Sequence, residues 1–364
     1  MSQLENAIKK CLTSAIRAEG KVSPNPLVGA VVFDREGKFV TFGYHERYGE
    51  AHAEVNAIKA AGDKTQGGML VVNLEPCSHW GKTPPCVDAI IQAGFKKVVI
   101  GMLDPNPKVN GNGVKKLREA GIEVEIGILQ DKCEKLNEVF IKNQKYNKPF
   151  IAIKTATTLD GKIATCTQDS KWITSEKSRQ YVHKLRNKYD AVLTSSNTVL
   201  ADNPQMTCRM DKGKNPIRII LDKNLRTDFS QKIYENNCDK IFVVIDENLT
   251  NPPTAPDHIE YIKCPLKDSH LDLNFVVNTL FEKGVMSILI EAGGILNGAF
   301  VKENLVDKLY HFQAPKIIGD NNAKSWIEGF STEKLSDCNV LEIYKTRFLD
   351  PDIYTEAYFL NNTK

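Results

Sequence analysis

The alternation of short β-branched runs with helix-like segments is the feature that most constrains the fold of this chain. In the first portion the strand-like runs are LVGAVVF (27–33), FVTFGY (39–44), MLVVNL (69–74), KKVVIGM (96–102) and IEVEIGI (122–128). Helical patterns occupy the segments between them, namely HAEVNAIKAAG (52–62), PPCVDAIIQAG (84–94) and GVKKLREAG (113–121), and a further helix is predicted over 130–144. This order predicts an α/β layered domain.

A polar, proline-terminated stretch, NQKYNKP (143–149), separates this portion from a second one. A chain of 364 residues is long enough for two hydrophobic cores, so we place domains at 1–145 and 146–364. The second portion restarts with the strand PFIAIKTATT and continues with alternating helices and strands, which predicts a second α/β domain. Its last segment, NVLEIYKTRFLDPDIYTEAYFL, is typical of long late strands.

Charge and cysteine usage exclude several classes of protein. The net charge of +3 disfavours general binding to nucleic acid or to a membrane surface, and the longest apolar runs are too short to span a bilayer. The first 20 residues have the periodicity of an amphipathic helix and lack the apolar core of a signal peptide, which predicts a cytoplasmic protein. Nine cysteines, an odd number, in a reducing compartment favour metal binding or buried thiols over disulfides.

A zinc site is predicted from three separated residues. The segment EPCSHWGKTPPC contains Cys77 and Cys86, and His52 opens a predicted helix upstream. A catalytic zinc takes three protein ligands and leaves one position for water, and these three residues supply that set. Cys86 lies in the first turn of a predicted helix, where a thiolate is favoured. Glu54, two residues after the histidine, is suited to carry protons between the water and a leaving nitrogen.

This pattern resembles the H-x-E and P-C-x-x-C signature of zinc deaminases, with one departure. Eight residues, in place of two, separate Cys77 from Cys86. Three other interpretations stay open at this point: a disulfide between the two cysteines, two buried thiols, and a closed structural zinc site with His79 as a fourth ligand. The functional alternatives are a nucleobase or nucleic-acid deaminase with a non-catalytic companion domain and a structural zinc module without activity.

In the second portion, the segment VMSILIEAGGILNGAF gives a weaker indication of a ligand site. A buried strand runs into Glu291, Gly293, Gly294 and Gly298 and then into a helix, an arrangement that lets a backbone approach pyrophosphate. The spacing is not G-x-G-x-x-G, and a tight turn that needs glycine explains it equally well.

Several longer segments extend the pattern to nearly the whole chain. SPNPLVGAVV, GYHERYGEAHAEVNA, EPCSHWGKTPPCVDAI and DPNPKVNGNG, followed by TATTLDGKIA, SKWITS, TVLADNPQMTCR and LVDKLYHFQAPKIIG, resemble the bifunctional riboflavin-biosynthesis deaminase/reductase family. The resemblance implies a cytidine-deaminase-like three-layer α/β/α domain followed by a dihydrofolate-reductase-like α/β domain. The eight-residue cysteine spacing belongs to this family, so the departure noted above supports the resemblance.

The resemblance implies that the first domain deaminates a diamino-hydroxy-pyrimidine that carries a phosphoribosylamino group. In that family His52, Cys77 and Cys86 would bind Zn²⁺, and Glu54 would act as acid and base. The positions that match the pyrimidine and ribose-phosphate pocket are Asn25, His45, His79, Lys82, Asp104 and Asn106. Amide and basic side chains suit a pyrimidine edge and a phosphate.

For the second domain the resemblance implies reduction of the product's ribose to a ribityl chain by NADPH. Positions that match cofactor contacts are Ala156, Trp172, Thr198, Asp202, Gly293, Gly294 and Gly298. Positions that match substrate contacts are Ser170, Arg186, Met206, Arg209 and Glu291, and Lys154 matches an active-site lysine. Hydride transfer to the anomeric carbon through a ring-opened imine needs a proton on nitrogen, and Lys154 and Asp202 are the two candidate donors.

One local departure concerns the cofactor. Ser195 and Ser196 stand where many family members carry glycine, which leaves the strictness of the NADPH preference open. Arg218, Lys223 and Arg226 are basic candidates for a ribose phosphate, although we expect them to be ordinary solvated charges. The resemblance also implies small-molecule pyrimidine ribotide substrates and a homo-oligomer, either a dimer or a tetramer, while the nearly balanced charge predicts neither nucleic-acid nor membrane partners.

Overall fold

A computed structural model describes residues 2–80, 84–106, 109–238 and 240–360. The chain divides into two compact units, Met1–Asn147 and Lys148–Lys364. The division falls two residues beyond the boundary placed from the polar stretch. Within the described part of the chain, every helix falls short of the length and apolarity that a bilayer crossing requires.

The first unit is built on a five-stranded sheet. Strands β1 to β5 span Gly29–Phe33, Phe39–Tyr44, Met69–Val72, Lys97–Ile100 and Glu123–Ile126. Their order is β2-β1-β3-β4-β5, with β1 antiparallel to both neighbours and β3, β4 and β5 parallel. The helices α1 to α6 span Gln3–Ala15, Ala53–Ala61, Cys86–Gln92, Asn112–Glu119, Gln130–Leu136 and Glu138–Tyr146.

Helices cover both faces of this sheet, in agreement with the cytidine-deaminase-like three-layer arrangement. One hydrophobic core joins the sheet to the helices, and Ile8, Val71, Ile90 and Leu117 are completely buried in it. These elements position the site: β3 ends five residues before Cys77, His52 is the N-cap residue of α2, and Cys86 is the first residue of α3.

The helix predicted over 130–144 is two helices, because Asn137 interrupts it. The side-chain oxygen of Asn137 accepts a hydrogen bond from the Leu27 N–H at 2.8 Å, and its amide donates to the Leu27 carbonyl at 3.1 Å. Asn137 is buried and leaves helical geometry. A contact 110 residues away along the chain therefore sets the break, and local periodicity could not predict it.

The second unit contains a nine-stranded sheet and two small two-stranded sheets. Strands β6 to β18 span Phe150–Thr157, Lys162–Ala164, Ala191–Ser195, Ile217–Leu221, Ile241–Asp246, Ile259–Cys264, Leu266–Lys267, His270–Leu271, Ser287–Ile290, Lys308–Gln313, Lys324–Ser325, Leu341–Leu349 and Asp352–Phe359. Helices α7 to α10 span Glu176–Lys188, Ser196–Asp202, Leu273–Glu282 and Gly294–Lys302.

The large sheet has the order β11-β10-β9-β8-β14-β6-β15-β18-β17. The first seven strands in this order run parallel to one another, and the last two, β18 and β17, form an antiparallel edge. Ligands of open parallel sheets bind outside the carboxyl ends of the strands. The carboxyl ends of β8 and β14 lead directly to Ser196 and Glu291, so the predicted cofactor and substrate residues gather at this edge.

Candidate active sites

A metal-ligand cluster forms where α2, the segment after β3 and α3 meet. The ligand atoms of His52, Cys77 and Cys86 all lie within 4.8 Å of one another. Nδ1 of His52 is 3.2 Å from Sγ of Cys86 and 3.6 Å from Sγ of Cys77. Zinc bonds of about 2.1 Å to nitrogen and about 2.3 Å to sulfur place neighbouring tetrahedral ligands roughly 3.6 Å apart. The donor set therefore fits zinc, and the three protein ligands leave a fourth position for water.

Hydrogen bonds inside this cluster favour a thiolate. The Cys86 thiol and the His52 ring lower the pKa of Cys77 to about 4, while the same bond from Cys77 raises the pKa of Cys86. The backbone N–H of Cys86 also donates to Sγ of Cys77 at 3.3 Å. The thiolate is the form that binds metal, so the cluster is prepared for a cation. The described structure contains free thiols at all nine cysteines, and the disulfide interpretation is wrong.

Glu54 lies beside the cluster in the first turn of α2. Burial raises the pKa of its carboxyl group to about 7, with a further contribution from the neighbouring Cys77. Its Oε2 is buried and has no hydrogen-bond partner among the described residues. A carboxyl group with a pKa near neutrality and one uncommitted oxygen can take up and release a proton at the same site.

Two of the three metal ligands and five of the six predicted pocket residues line one cavity of about 310 Å³. His52, Glu54 and Cys77 line it together with Asn25, His45, His79, Asp104 and Asn106. These residues come from loops far apart in the sequence, and the fold brings them together. Lys82 lies outside the described residues.

His45 orients Asn25 in this cavity. Nδ1 of His45 is 3.1 Å from the Ala51 carbonyl, which only accepts, so this nitrogen carries the proton. Burial lowers the pKa of His45, which favours the neutral ring. Nε2 therefore accepts from Nδ2 of Asn25 at 3.1 Å. This assignment leaves the Asn25 side-chain carbonyl as the group available to a bound pyrimidine.

Other residues that line the cavity were missed from the sequence. Phe140 and Gln144 reach it from α6, and Tyr48 and Glu50 reach it from the loop before α2. Glu75, the residue that precedes Pro76-Cys77, also lines it. Their places depend on packing between distant elements, and no local motif marks them.

The second unit contains a buried cluster of one carboxylate and two cations. Nε and Nη2 of Arg186 donate to the two oxygens of Glu291 at 2.6 and 3.0 Å. Nη1 of Arg186 donates to the Thr207 carbonyl at 3.0 Å. Nζ of Lys154 lies 3.6 Å from Oε2 of Glu291. Arg186 is thus a largely buried partner of Glu291 and not a solvated group on a helix face.

Charge and burial set the protonation of this cluster. Although burial opposes ionisation of Glu291, Arg186 and Lys154 together lower its pKa to about 2. Burial lowers the pKa of Lys154, and Glu291 partly offsets that shift. The lysine is therefore a better acid than a solvated lysine, beside a carboxylate that stays ionised.

Asp202, the other candidate proton donor, has different surroundings. Its Oδ1 accepts from Oγ of Ser170 at 3.3 Å and lies 4.0 Å from Nζ of Lys171. This hydrogen bond joins Ser170, a predicted substrate contact, to Asp202, a predicted cofactor contact. Trp172 is exposed, with the Arg179 guanidinium 4.5 Å from its ring centre.

The remaining predicted reductase residues differ in burial. Met206 is buried, whereas Arg209 is exposed and donates to Oε1 of Gln205 at 3.1 Å. Ala156 is half-buried on β6, and Thr198 lies in the first turn of α8. Their contacts with cofactor or substrate stay predictions.

The three glycines predicted to bind cofactor have distinct environments. A Cβ on Gly298 would lie 1.7 Å from the Glu328 carbonyl oxygen, and one on Gly294 would lie 2.3 Å from that of Ser325. Both glycines are needed because the 325–328 segment packs against α10. Only Gly293, at the start of α10, has open space where a side chain would be. Among the three, its position best fits close approach of a ligand to the backbone.

The basic residues on β9 and just after it do not form one solvated group. Arg218 is 1% exposed and donates to the Glu235 carbonyl, so the expectation of a solvated charge was wrong there. Arg226 is exposed, and its Nη2 donates to Oγ of Ser196 at 2.7 Å and to Oδ1 of Asn197 at 2.6 Å. The Arg226 guanidinium is therefore held against the first two residues of α8.

A zinc-deaminase domain followed by a reductase domain is the class that this fold and these sites define. Residues 1–102 match the family described as the cytidine and deoxycytidylate deaminase zinc-binding region, and residues 149–353 match the RibD C-terminal domain. The chain belongs to the RibD family of riboflavin-biosynthesis enzymes, which combine a deaminase with a reductase. Zn²⁺ and NADPH are the cofactors of these two domains.

Relatives match along nearly the full length. The chain is 38% identical to the riboflavin biosynthesis protein RibD of Synechocystis, covering 98% of this chain and 96% of the relative. It is 41% identical to that of Aquifex aeolicus, covering 94% and 93%. A solved deaminase/reductase from Thermotoga maritima is 38% identical, with a TM-score of 0.88 and 98% of each chain covered. The RibD C-terminal match replaces the interpretation of a non-catalytic companion domain.

Proposed function

We propose that this enzyme deaminates 2,5-diamino-6-(5-phosphoribosylamino)pyrimidin-4-one and then reduces the ribosyl group of 5-amino-6-(5-phosphoribosylamino)uracil to ribityl. The observation that carries the first step is the placement of His52, Cys77 and Glu54 in one cavity with Asn25. The Thermotoga maritima structure is described as a diaminohydroxyphosphoribosylaminopyrimidine deaminase and 5-amino-6-(5-phosphoribosylamino)uracil reductase, which supports the choice of substrates.

In the deaminase, His52, Cys77 and Cys86 are the residues that hold zinc. Zinc, when bound, supplies a Lewis acid that makes water nucleophilic near neutral pH. Glu54 takes the proton from the attacking water and returns it to the amino nitrogen, which leaves as ammonia while the carbon keeps the oxygen. Asn25 presents its side-chain carbonyl to the pyrimidine, and His79, Asp104 and Asn106 line the rest of the pocket.

In the reductase, Lys154 is the proton donor that the structure favours over Asp202. NADPH, when bound, supplies the hydride. The Lys154 ammonium gives a proton to the nitrogen of the ring-opened imine as the anomeric carbon is reduced, and Glu291 keeps that ammonium beside the substrate. Asp202 hydrogen-bonds with Ser170, which suits positioning of ligand more than proton transfer.

The Glu54→Gln variant tests the first step of this proposal. The amide keeps the shape of the side chain but cannot carry the proton, so we expect loss of ammonia release with zinc content unchanged. Reduction of the already deaminated ribotide by NADPH should continue at the wild-type rate. Ammonia release by the variant at the wild-type rate would remove Glu54 from the mechanism.

We also propose an oligomeric state and a cellular location for the protein. We infer a homo-oligomer, because β17 is the edge strand of the large sheet and Ile343 and Phe348 on it are 67% and 78% exposed. Light scattering of the Phe348→Asp variant should give a smaller mass than wild type if this edge is the interface. Nine free thiols support a reducing cytoplasm as the place of action.

A further inference from the structure

The carboxylate of Glu75 accepts hydrogen bonds from four backbone N–H groups, two before helix α4 and two in its first turn. Oε2 accepts from Asp104 at 3.1 Å and from Gly111 at 3.0 Å, and Oε1 accepts from Gly113 at 2.9 Å and from Val114 at 3.2 Å. The side chain is 3% exposed. Charge-assisted bonds of this kind are stronger than bonds between neutral groups, so one side chain fixes both ends of the loop.

Glu75 also belongs to the segment that carries a metal ligand. It lies two residues before Cys77, and its own N–H donates to the Met102 carbonyl at 2.9 Å. The loop that it holds begins with Asp104 and Asn106, which line the cavity beside Glu54. Glu75 therefore joins the metal-ligand segment to the substrate side of the same cavity.

The loop approaches Glu75 so closely that glycine is required at one position. A Cβ on Gly113 would lie 2.4 Å from the Pro76 carbonyl oxygen and 3.1 Å from Oε1 of Glu75. A second hydrogen bond joins the same two segments, since Nζ of Lys116 donates to the Ser78 carbonyl at 2.7 Å. Several contacts thus join residues 75–78 to the beginning of α4, and we call this region of contact the junction.

We propose that Glu75 is a positioning residue of the deaminase, which sets Asp104 and Asn106 at the substrate relative to the Cys77 segment. It acts through the backbone of the loop and takes no part in proton transfer. The inference rests on the proposed deaminase function and extends it to a residue outside the zinc and acid-base set.

The Glu75→Gln variant of the full-length, zinc-loaded enzyme tests this role. The amide has the same shape, but its NH₂ group faces two backbone N–H donors, so two of the four hydrogen bonds are lost. We expect KM for the diaminopyrimidine ribotide to rise about tenfold, the size typical of lost bonds to a charged group, with kcat and zinc content nearly unchanged. Hydrogen exchange should become faster at the amides of Asp104, Gly111, Gly113 and Val114.

Ile8→Val is the matched control, because Ile8 is completely buried in the same core but forms no part of this junction. If Glu75→Gln only lowered thermal stability, as Ile8→Val should, and left KM unchanged, Glu75 would be only a fold element and the proposal would be overturned. Hydrogen exchange separates this outcome from failure of the proposed function. A wild-type enzyme inactive on the ribotide would refute the deaminase assignment, whatever the exchange rates.

Discussion

Lys154 and Glu291 directly follow Ile153 and Ile290, the last paired residues of the parallel strands β6 and β14, and Nζ of Lys154 is 3.6 Å from Oε2 of Glu291. Arg186 donates two hydrogen bonds to the same carboxylate, so the buried carboxylate of Glu291 lies between two cationic side chains. Removing one partner of such a group leaves uncompensated charge. The arrangement explains how a lysine can stay protonated in a low-dielectric site and still give up its proton.

The first prediction concerns the proton donor. The Lys154→Gln variant should slow hydride transfer by about 100-fold or more, the usual contribution of a general acid, while the Kd for NADPH stays close to that of wild type. Single-turnover absorbance at the NADPH band gives the rate, and fluorescence titration gives the Kd. Asp202→Asn is the matched control, which should change the Kd more than the rate. The reverse pattern in these two variants would assign the proton to Asp202.

The second prediction is a pH profile. Because burial lowers the pKa of Lys154, the hydride-transfer rate should fall as pH rises through a pKa below the ordinary lysine value of about 10.4. Glu291 raises that pKa, so the Glu291→Gln variant should lose activity at a lower pH than wild type. Glu291 itself, with a pKa of about 2, contributes no step near neutrality. An alkaline limit that moves upward in Glu291→Gln would contradict this account.

The third prediction concerns cofactor choice. If Arg226 binds the phosphate that distinguishes NADPH from NADH, replacing it with alanine should weaken NADPH binding about tenfold or more and leave NADH binding nearly unchanged. Equilibrium titration with each nucleotide gives the two Kd values. Lys223→Ala is the matched control from the same segment, since its Nζ bonds to the Ser269 carbonyl. Equal losses for both nucleotides would place Arg226 outside the phosphate site.

The fourth prediction concerns the orientation of Asn25. His45→Phe removes the hydrogen bonds to Asn25 and to Ala51, so kcat/KM for deamination should fall about tenfold with zinc retained. Asn56→Ala is the control, because it loses a hydrogen bond to the same Ala51 carbonyl without touching Asn25. Equal losses in the two variants would mean that the Ala51 loop, and not Asn25, accounts for the effect.

Local patterns were enough to predict the chemistry of the deaminase but not its supporting contacts. His52, Glu54, Cys77 and Cys86 were predicted because ligand types and spacing are properties of short segments. Glu75 was not predicted because the four backbone groups that donate to its carboxylate lie 29 to 39 residues further along the chain.

In the reductase and in the overall fold, too, the features that local sequence did not predict depend on contacts between distant residues. Arg218 was expected to be solvated, yet the strand it lies on is central in the sheet and buries it. The separate roles of Gly293 and Gly298 depend on the 325–328 segment, which no local pattern connects to α10. Periodicity predicted most strands and helices, while the break at Asn137 required its long-range contact with Leu27.

The most direct test of two successive activities is NADPH consumption by the purified protein, with and without prior treatment by a zinc chelator. With the diaminopyrimidine ribotide as substrate, the account predicts consumption that the chelator abolishes and added zinc restores. With the deaminated ribotide, consumption should continue despite the chelator. NADPH consumption from the diamino substrate that is insensitive to zinc removal, or no consumption with either substrate, would contradict the central claim.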